Sequence, residues 1–279
     1  MKVYAEKTRD FFGKAFTRIA DARKRYAPNN IELTNNLEEA DLQIIDVIGK
    51  GEEQLIKAPR YILNIYCWYT SERYSKEFLE GAELVTSTYD IPSFDSTIKF
   101  KNFMMLPVGY DPKVFYQIPN LKKKYGIMTT GYVAGTEAID CCFEACKRMG
   151  FDMVHVGGNF KWGTHYINKE NITDDEMRVL YNESRIVSAL RFIEGFEVGG
   201  IEALACGVRP VVFNNPIYTT WYKNHAQYIT ECKDSNVLIS EIMRVIYNPI
   251  PVDKSEQEWV KKNFCWEKVM GNFWKGVLG

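Results

Sequence analysis

Several features that would place a protein in a functional class are absent from this sequence of 279 residues. It has no CxxC pair, and its seven cysteines follow neither a disulfide framework nor a zinc-ligand spacing, which favours a reducing compartment. No apolar export segment follows Met1, and no run approaches the roughly 18 apolar residues of a membrane span. We therefore expect a cytoplasmic protein, or one of the host cytoplasm if it is viral. Its 14% aromatic content leaves peripheral membrane contact open.

Motifs for common cofactors and for metals are missing as well. Neither a GxGxxG nor a GxxxxGK[ST] motif occurs, which disfavours a nicotinamide oxidoreductase or a kinase. No Asp-x-Asp ends a predicted strand, so we expect no metal ion at the site. The 35 basic and 36 acidic residues nearly balance, so bulk charge gives no support to a nucleic-acid partner.

Short apolar runs alternate with helical stretches through both halves of the chain, a pattern typical of parallel sheets flanked by helices. In the first half, strands are predicted at residues 3–5, 42–47, 61–67, 82–87 and 103–108. In the second half, they are predicted at residues 127–133, 153–156, 186–190 and 210–213. Between Val108 and Lys124 the chain is rich in turn formers, so a domain linker is predicted there.

The most informative stretch runs from Glu194 to Glu202. A helix is predicted to start near Gly199, and its free backbone N–H groups and positive dipole end would face a phosphate beyond the preceding strand. Glu194 lies on the loop before this helix, and Glu202 lies one turn inside it. The two carboxylates could therefore accept hydrogen bonds from separate hydroxyl groups of one elongated ligand.

This stretch resembles the signature of retaining glycosyltransferases of family four, the group of glycogen synthase and sucrose synthase. The likeness includes the spacing of the two glutamates, the helix end Ala205-Cys206-Gly207 and the strand that starts at Pro210. Residues 107–115 are similar to the proline-containing linker of the family, and residues 264–269 resemble its closing helix. The resemblance thus extends from the linker to the C-terminus.

The resemblance implies an α/β fold with two Rossmann-like domains facing each other across a cleft, the GT-B architecture. Residues 1–117 would form the acceptor-side domain, residues 118–258 the nucleotide-sugar domain, and residues 259–279 a helix crossing back to the first domain. The implied activity moves a sugar, with retention, from a UDP- or GDP-linked donor that acts as co-substrate; no cofactor is expected. A glycan, a lipid-linked glycan, a protein or a modified nucleobase stays open as the acceptor.

The resemblance also implies roles for individual residues. Glu194 would contact the donor sugar as a catalytic residue, and Glu202 would bind the ribose hydroxyls. The other predicted donor contacts are Gly131, Tyr132, His155, Gly157, Lys161, Gly195, Phe196, Glu197 and Val198. For His155, a hydrogen-bonded position in the core is an equally weighted interpretation.

One departure from the family concerns the donor diphosphate. Family members usually carry an arginine and a lysine in the loop after the first strand of the second domain, but here that loop, residues 130–137, contains no cation. A diphosphate leaving group needs positive charge or strong donors. We expect Arg191 to supply the charge as a second catalytic residue, with Lys161, Lys7 and Arg9 as further candidates.

Two alternative functions stay open. A non-catalytic sugar-nucleotide-binding or scaffold subunit would explain the missing cations. A nucleotide-sugar epimerase would need acid and base groups at a sugar carbon, which the sequence does not reveal.

Overall fold

The computed structural model describes residues 1–5, 14–47, 55–66, 74–192 and 196–279. Within these ranges the strands are β1 Lys2–Ala5, β2 Glu32–Thr34, β3 Leu42–Val47, β4 Tyr61–Ile65, β5 Leu84–Ser87, β6 Phe103–Met105, β7 Tyr125–Gly131, β8 Asp152–Gly157, β9 Tyr166–Lys169, β10 Ser184–Ser188, β11 Pro210–Phe213 and β12 Gln227–Ile229. The helices are α1 Lys14–Arg25, α2 Lys76–Gly81, α3 Ile91–Phe94, α4 Ile139–Met149, α5 Asp174–Glu183, α6 Val198–Ala205, α7 Pro216–Tyr222, α8 Ser235–Tyr247, α9 Lys254–Phe264 and α10 Trp266–Leu278, with a short 3-10 helix at Leu37–Glu39.

The chain divides into two compact units, each built on one six-stranded sheet. The first unit contains Met1–Gly109, Phe196 and Trp266–Gly279, and the second contains Tyr110–Phe192 and Glu197–Cys265. All strand pairs in both sheets are parallel. The predicted class of two parallel α/β sheets with flanking helices is therefore confirmed.

The sheet of the first unit has the strand order β2-β1-β3-β4-β5-β6. All six residues of β3 are buried, as expected for a nearly continuous apolar run covered on both faces. Its one charged residue, Asp46, forms a buried ion pair with Arg23 of α1 at 2.6 Å. Helix α10 packs on α1, where Trp274 Nε1 donates to the carbonyl oxygen of Arg23 at 3.2 Å. The end of the chain is thus part of the first unit's core.

The sheet of the second unit has the strand order β12-β11-β10-β7-β8-β9. Strand β7 begins the unit and lies between β8 and β10, so the strand order reverses between β7 and β10. The chain continues from β7 toward one edge of the sheet and from β10 toward the other, so the loops after these strands diverge and leave a crevice at the carboxyl ends of the strands. In an open parallel sheet this crevice is the usual place for a ligand. The fold therefore directs attention to the loops after β7 and β10.

The predicted linker is attached to the second unit along much of its length. Ile118 N donates to Asn182 Oδ1 at 2.7 Å, and Asn182 Nδ2 donates to the carbonyl oxygen of Tyr116 at 3.1 Å. Because these bonds fasten the segment to α5, the structure divides the chain after Gly109, ahead of the limit at residue 117 that the sequence suggests.

Two connections between the units, after Gly109 and after Cys265, run side by side. Tyr110 N donates to the carbonyl oxygen of Phe264 at 2.9 Å, and Tyr110 and Cys265 form an isolated parallel bridge. The region predicted as one closing helix, residues 259–279, contains the end of α9 and all of α10, and the chain returns to the first unit between these helices. No helix in the described part of the chain is long and apolar enough to cross a membrane.

Candidate functional site

Arg191 joins the two loops at the reversal point of the second sheet. Its side chain is 7% exposed, and its Nη2 atom donates to Thr130 Oγ1 at 3.0 Å, near the end of β7. Its Nη1 atom lies 2.9 Å from Glu137 Oε1, and its Nε atom donates to Glu197 Oε2 at 2.9 Å. The guanidinium fork suits such multiple pairing because its N–H groups point in fixed directions. The loops after β7 and β10 are thus tied together by one buried cation.

Glu137 receives further donors in the loop after β7. Its Oε2 atom accepts hydrogen bonds from the backbone N–H groups of Tyr132 and Val133, both at 2.7 Å. Burial raises the pKa of Glu137, although the neighbouring Arg191 and these two N–H groups act in the opposite direction. Removing this carboxylate from water therefore outweighs the donors that surround it.

The loop after β10 leads into α6, where Glu197 is the N-cap. Its side chain accepts a hydrogen bond from Gly199 N at 3.4 Å, and its carbonyl oxygen accepts one from the hydroxyl of Tyr222. A Cβ atom on Gly200 would overlap that hydroxyl, so a residue without a side chain lets Tyr222 reach the helix start. The first turn of α6 is thereby held on two sides.

Glu202 lies inside α6 and is 2% exposed. Its Oε2 atom accepts a hydrogen bond at 2.9 Å from the hydroxyl of Tyr181, which α5 contributes. A buried carboxylate is costly unless donors compensate for the lost water, and Tyr181 is one such donor. The structure thus holds Glu202 at the α5–α6 contact, and its role toward a ribose stays a prediction.

Three glycines bring the ends of β7 and β8 close together. Gly131 and Gly157 have φ values of +130° and +143°, and a Cβ atom on Gly157 would overlap the carbonyl oxygen of Gly131. That oxygen accepts a hydrogen bond from Gly158 N at 2.9 Å. Only glycine adopts this backbone conformation readily, so the close approach depends on these residues.

His155 is fully buried within β8, so the interpretation as a core histidine is the one that the structure supports. Its Nδ1 atom lies 2.8 Å from Thr129 Oγ1 on the neighbouring strand, and its ring centroid lies 5.3 Å from that of Phe160. Burial lowers its pKa from 6.5 to about 4. The side chain does not reach the surface, so direct contact with a donor, as the sequence suggested, requires a rearrangement of the strand end.

The remaining predicted positions separate into three groups. Tyr132 is 75% exposed and Lys161 is exposed in the loop after β8, while Phe196 is buried beside the start of α6. Glu194, Gly195, Lys7 and Arg9 lie outside the described residues. Sequence reasoning did not identify Thr130, Glu137 or Tyr181 as site residues. Within the described ranges, no group of three or more histidine, cysteine, aspartate or glutamate side chains is placed to hold a metal ion.

Comparisons with known proteins bear on the fold. No protein-family model matches the sequence, and no curated protein matches it significantly. Among solved structures, the chain is similar to sucrose-phosphate synthase from Thermosynechococcus elongatus, with a TM-score of 0.76 and 13% identity over 99% of this chain and 98% of that one. It is also similar to Anabaena HepE in complex with UDP and glucose, with a TM-score of 0.74 and 11% identity over 99% of both chains.

A third solved structure is AviGT4, a glycosyltransferase involved in avilamycin A biosynthesis, with a TM-score of 0.66 and 10% identity over 99% of this chain and 98% of that one. At identities this low, the likeness is one of fold, and it extends over nearly the whole of each chain. The two parallel sheets and their flanking helices therefore give this chain the fold of the GT-B glycosyltransferases.

Proposed function

We propose that this protein transfers a sugar from a nucleotide-sugar donor to an acceptor hydroxyl. The observation that carries the proposal is the position of Arg191, Glu197 and Glu202 around the start of α6, at the reversal point of the second sheet. In a parallel α/β sheet this is where nucleotides bind. The likeness over 99% of both chains to a protein solved with UDP and glucose makes a nucleotide sugar the favoured ligand.

The proposed mechanism is that of retaining family-four enzymes. Glu194 would orient the donor sugar and Glu202 would bind the ribose hydroxyls. The diphosphate would leave toward the start of α6, where the N–H groups of residues 196–198 and the helix dipole favour negative charge. The acceptor hydroxyl would attack from the same face, so that correct placement and charge stabilisation provide the acceleration without a covalent intermediate.

Arg191 is not an unpaired cation that a diphosphate could bind directly. It is buried and paired with two carboxylates, so its charge is already balanced before a donor arrives. We therefore propose that Arg191 organises the two loops and contributes to the diphosphate site only where a phosphoryl oxygen replaces one of those carboxylates.

The same pairing favours one alternative function, a subunit that binds a sugar nucleotide without turning it over. Because Arg191 is already paired with Glu137 and Glu197, it would stabilise a departing diphosphate poorly. Binding without transfer or hydrolysis would distinguish this alternative from the transferase.

The test is a calorimetric and thermal-shift screen of the purified protein against UDP-, GDP-, ADP- and TDP-sugars, with and without EDTA. We expect one nucleotide class to bind, EDTA to have no effect, and Glu202→Ala to lose at least about tenfold in affinity, which corresponds to roughly 1.4 kcal/mol. Glu241→Ala is the matched control, because Glu241 is a partly exposed residue of α8 that pairs with Arg244. Unchanged affinity in Glu202→Ala would refute its ribose role.

Turnover and stereochemistry need a second measurement with the donor identified in this way. Released nucleotide reports transfer or slow hydrolysis, and nuclear magnetic resonance of the first-formed sugar product gives its anomeric configuration. We expect the configuration of the donor to be kept. An inverted product would contradict the retaining mechanism while leaving sugar transfer intact.

A further inference from the structure

The Glu137 carboxylate is bound by a group of hydrogen-bond donors that would also suit a phosphoryl group. Two backbone N–H groups, those of Tyr132 and Val133, donate to one carboxylate oxygen, and the Arg191 guanidinium lies 2.9 Å from the other. Adjacent backbone N–H groups together with an arginine fork form a common arrangement for binding oxyanions in proteins. The arrangement is complete in this chain, but the anion within it is the protein's own side chain.

The backbone around this carboxylate is shaped to admit it. A Cβ atom on Gly131 would overlap Glu137 Oε2, so the carboxylate reaches into space that only a glycine leaves open. At the same point Gly131 and Gly157 bring the ends of β7 and β8 together. An anion that approached these strand ends would therefore meet the Glu137 carboxylate at the N–H groups it needs.

The local charge opposes a second anion while Glu137 stays in place. Arg191 is shared between Glu137 and Glu197, so at least two carboxylates of the described residues face one guanidinium. A phosphoryl group added to this cluster would be repelled by both carboxylates. The raised pKa of Glu137 agrees with a charge that is held there at a net cost in solvation.

We propose that Glu137 is a built-in competitor for the donor: its carboxylate fills an oxyanion subsite formed by Tyr132 N, Val133 N and Arg191, and a donor phosphoryl group binds there only when Glu137 moves aside. The inference rests on the proposed function, because it describes how access to that donor site is controlled. It explains how a loop without a lysine or arginine still presents donors for an anion, and it predicts that the donor binds weakly until the carboxylate is displaced.

The experiment measures binding of inorganic pyrophosphate and of UDP to the whole protein by calorimetry. Glu137→Gln removes the charge and keeps the shape of the side chain, whereas Glu137→Ala also uncovers the two N–H groups. We expect both variants to bind pyrophosphate at least about tenfold more tightly than the unaltered protein, with Glu137→Ala at least as tight as Glu137→Gln. Glu144→Gln removes the same charge from the surface of α4, where Glu144 pairs with Arg148, and should leave the affinity unchanged.

Equal or weaker pyrophosphate binding in both Glu137 variants, with circular dichroism and melting temperature close to those of the unaltered protein, would overturn the inference. Absence of binding in every variant would overturn it too, because the uncovered donors should then have held the anion. Failure of the proposed function has a different signature: no sugar nucleotide would be transferred or hydrolysed by any variant, even if pyrophosphate bound more tightly to Glu137→Ala.

Discussion

Folding stability should depend on pH through His155, and the structure gives the sign and the size of the effect. The side chain is fully buried in β8, and burial lowers its pKa from 6.5 to about 4. Well above pH 6.5 the histidine is neutral in both the folded and the unfolded chain, so it contributes no pH dependence there. Below that value His155 is protonated in the unfolded chain but stays neutral in the folded chain, so the free energy of unfolding falls as the pH falls.

The magnitude follows from the two pKa values. Between pH 7 and pH 5 the difference in proton uptake should remove about 2 kcal/mol of stability, since each unit of pKa difference corresponds to about 1.4 kcal/mol. The loss should level off near pH 4, where the folded form also becomes protonated. This is a large fraction of the 5–15 kcal/mol that typically stabilises a folded protein.

The assay is urea unfolding at several pH values between 7 and 4.5, with the unaltered protein compared with His155→Phe. Phenylalanine keeps an aromatic ring beside Phe160 and cannot be protonated. Over this pH range the free energy of unfolding of the variant should therefore fall by about 2 kcal/mol less than that of the unaltered protein, whatever its absolute stability. His165→Asn is the control, because His165 is a partly exposed residue that pairs with Asp152, and surface pairs contribute little. Parallel pH profiles for the unaltered protein and His155→Phe would refute the reasoning.

Three further substitutions test other parts of the second unit. Arg191→Met should lower the free energy of unfolding by about 3–5 kcal/mol, because it leaves the buried carboxylate of Glu197 and the partly buried one of Glu137 without their shared cation. A loss below about 1 kcal/mol on urea unfolding would show that other groups compensate these carboxylates. Gly157→Ala should cost roughly 2–4 kcal/mol through its positive φ and the overlap behind it, whereas Gly135→Ala, which has open space around it, should melt like the unaltered protein. Glu256→Gln weakens the buried pair that joins α9 to Arg209, the residue before β11, and should cost about 3 kcal/mol, with faster amide hydrogen exchange in α9 than elsewhere. Uniform exchange would argue against a local anchor.

Local sequence predicted the central strands well and the short edge strands poorly. Strands β3 and β11 have the bounds that their apolar runs suggested, because a strand covered on both faces reads as an uninterrupted apolar run. Strands β2 and β12 have three residues each at the sheet edges and were not predicted. Their pairing partners, rather than their own composition, make them strands.

The candidate site shows a similar division between local and distant information. Arg191 and Glu202 were identified because they lie in one stretch with a recognisable pattern. Their partners Glu137 and Tyr181 come from other segments and meet them only once β7 and β10 are neighbours and α5 packs beside α6. The same limit applies to His155: its position at the end of an apolar run fitted a ligand contact and a core residue equally well, and only the fold shows that its side chain is fully buried.

The neighbouring connections between the units have a consequence for engineering. Because Tyr110 and Cys265 form a β-bridge, the first and last residues of the second unit lie next to each other. In the first unit, Gly109 and Trp266 are also close together, since a Cβ atom on Gly109 would overlap the ring of Trp266. Residues 110–265, which include Phe196 of the first unit, could therefore be produced as one continuous polypeptide, and a short turn would suffice to rejoin the remainder. Each part could then be studied by itself.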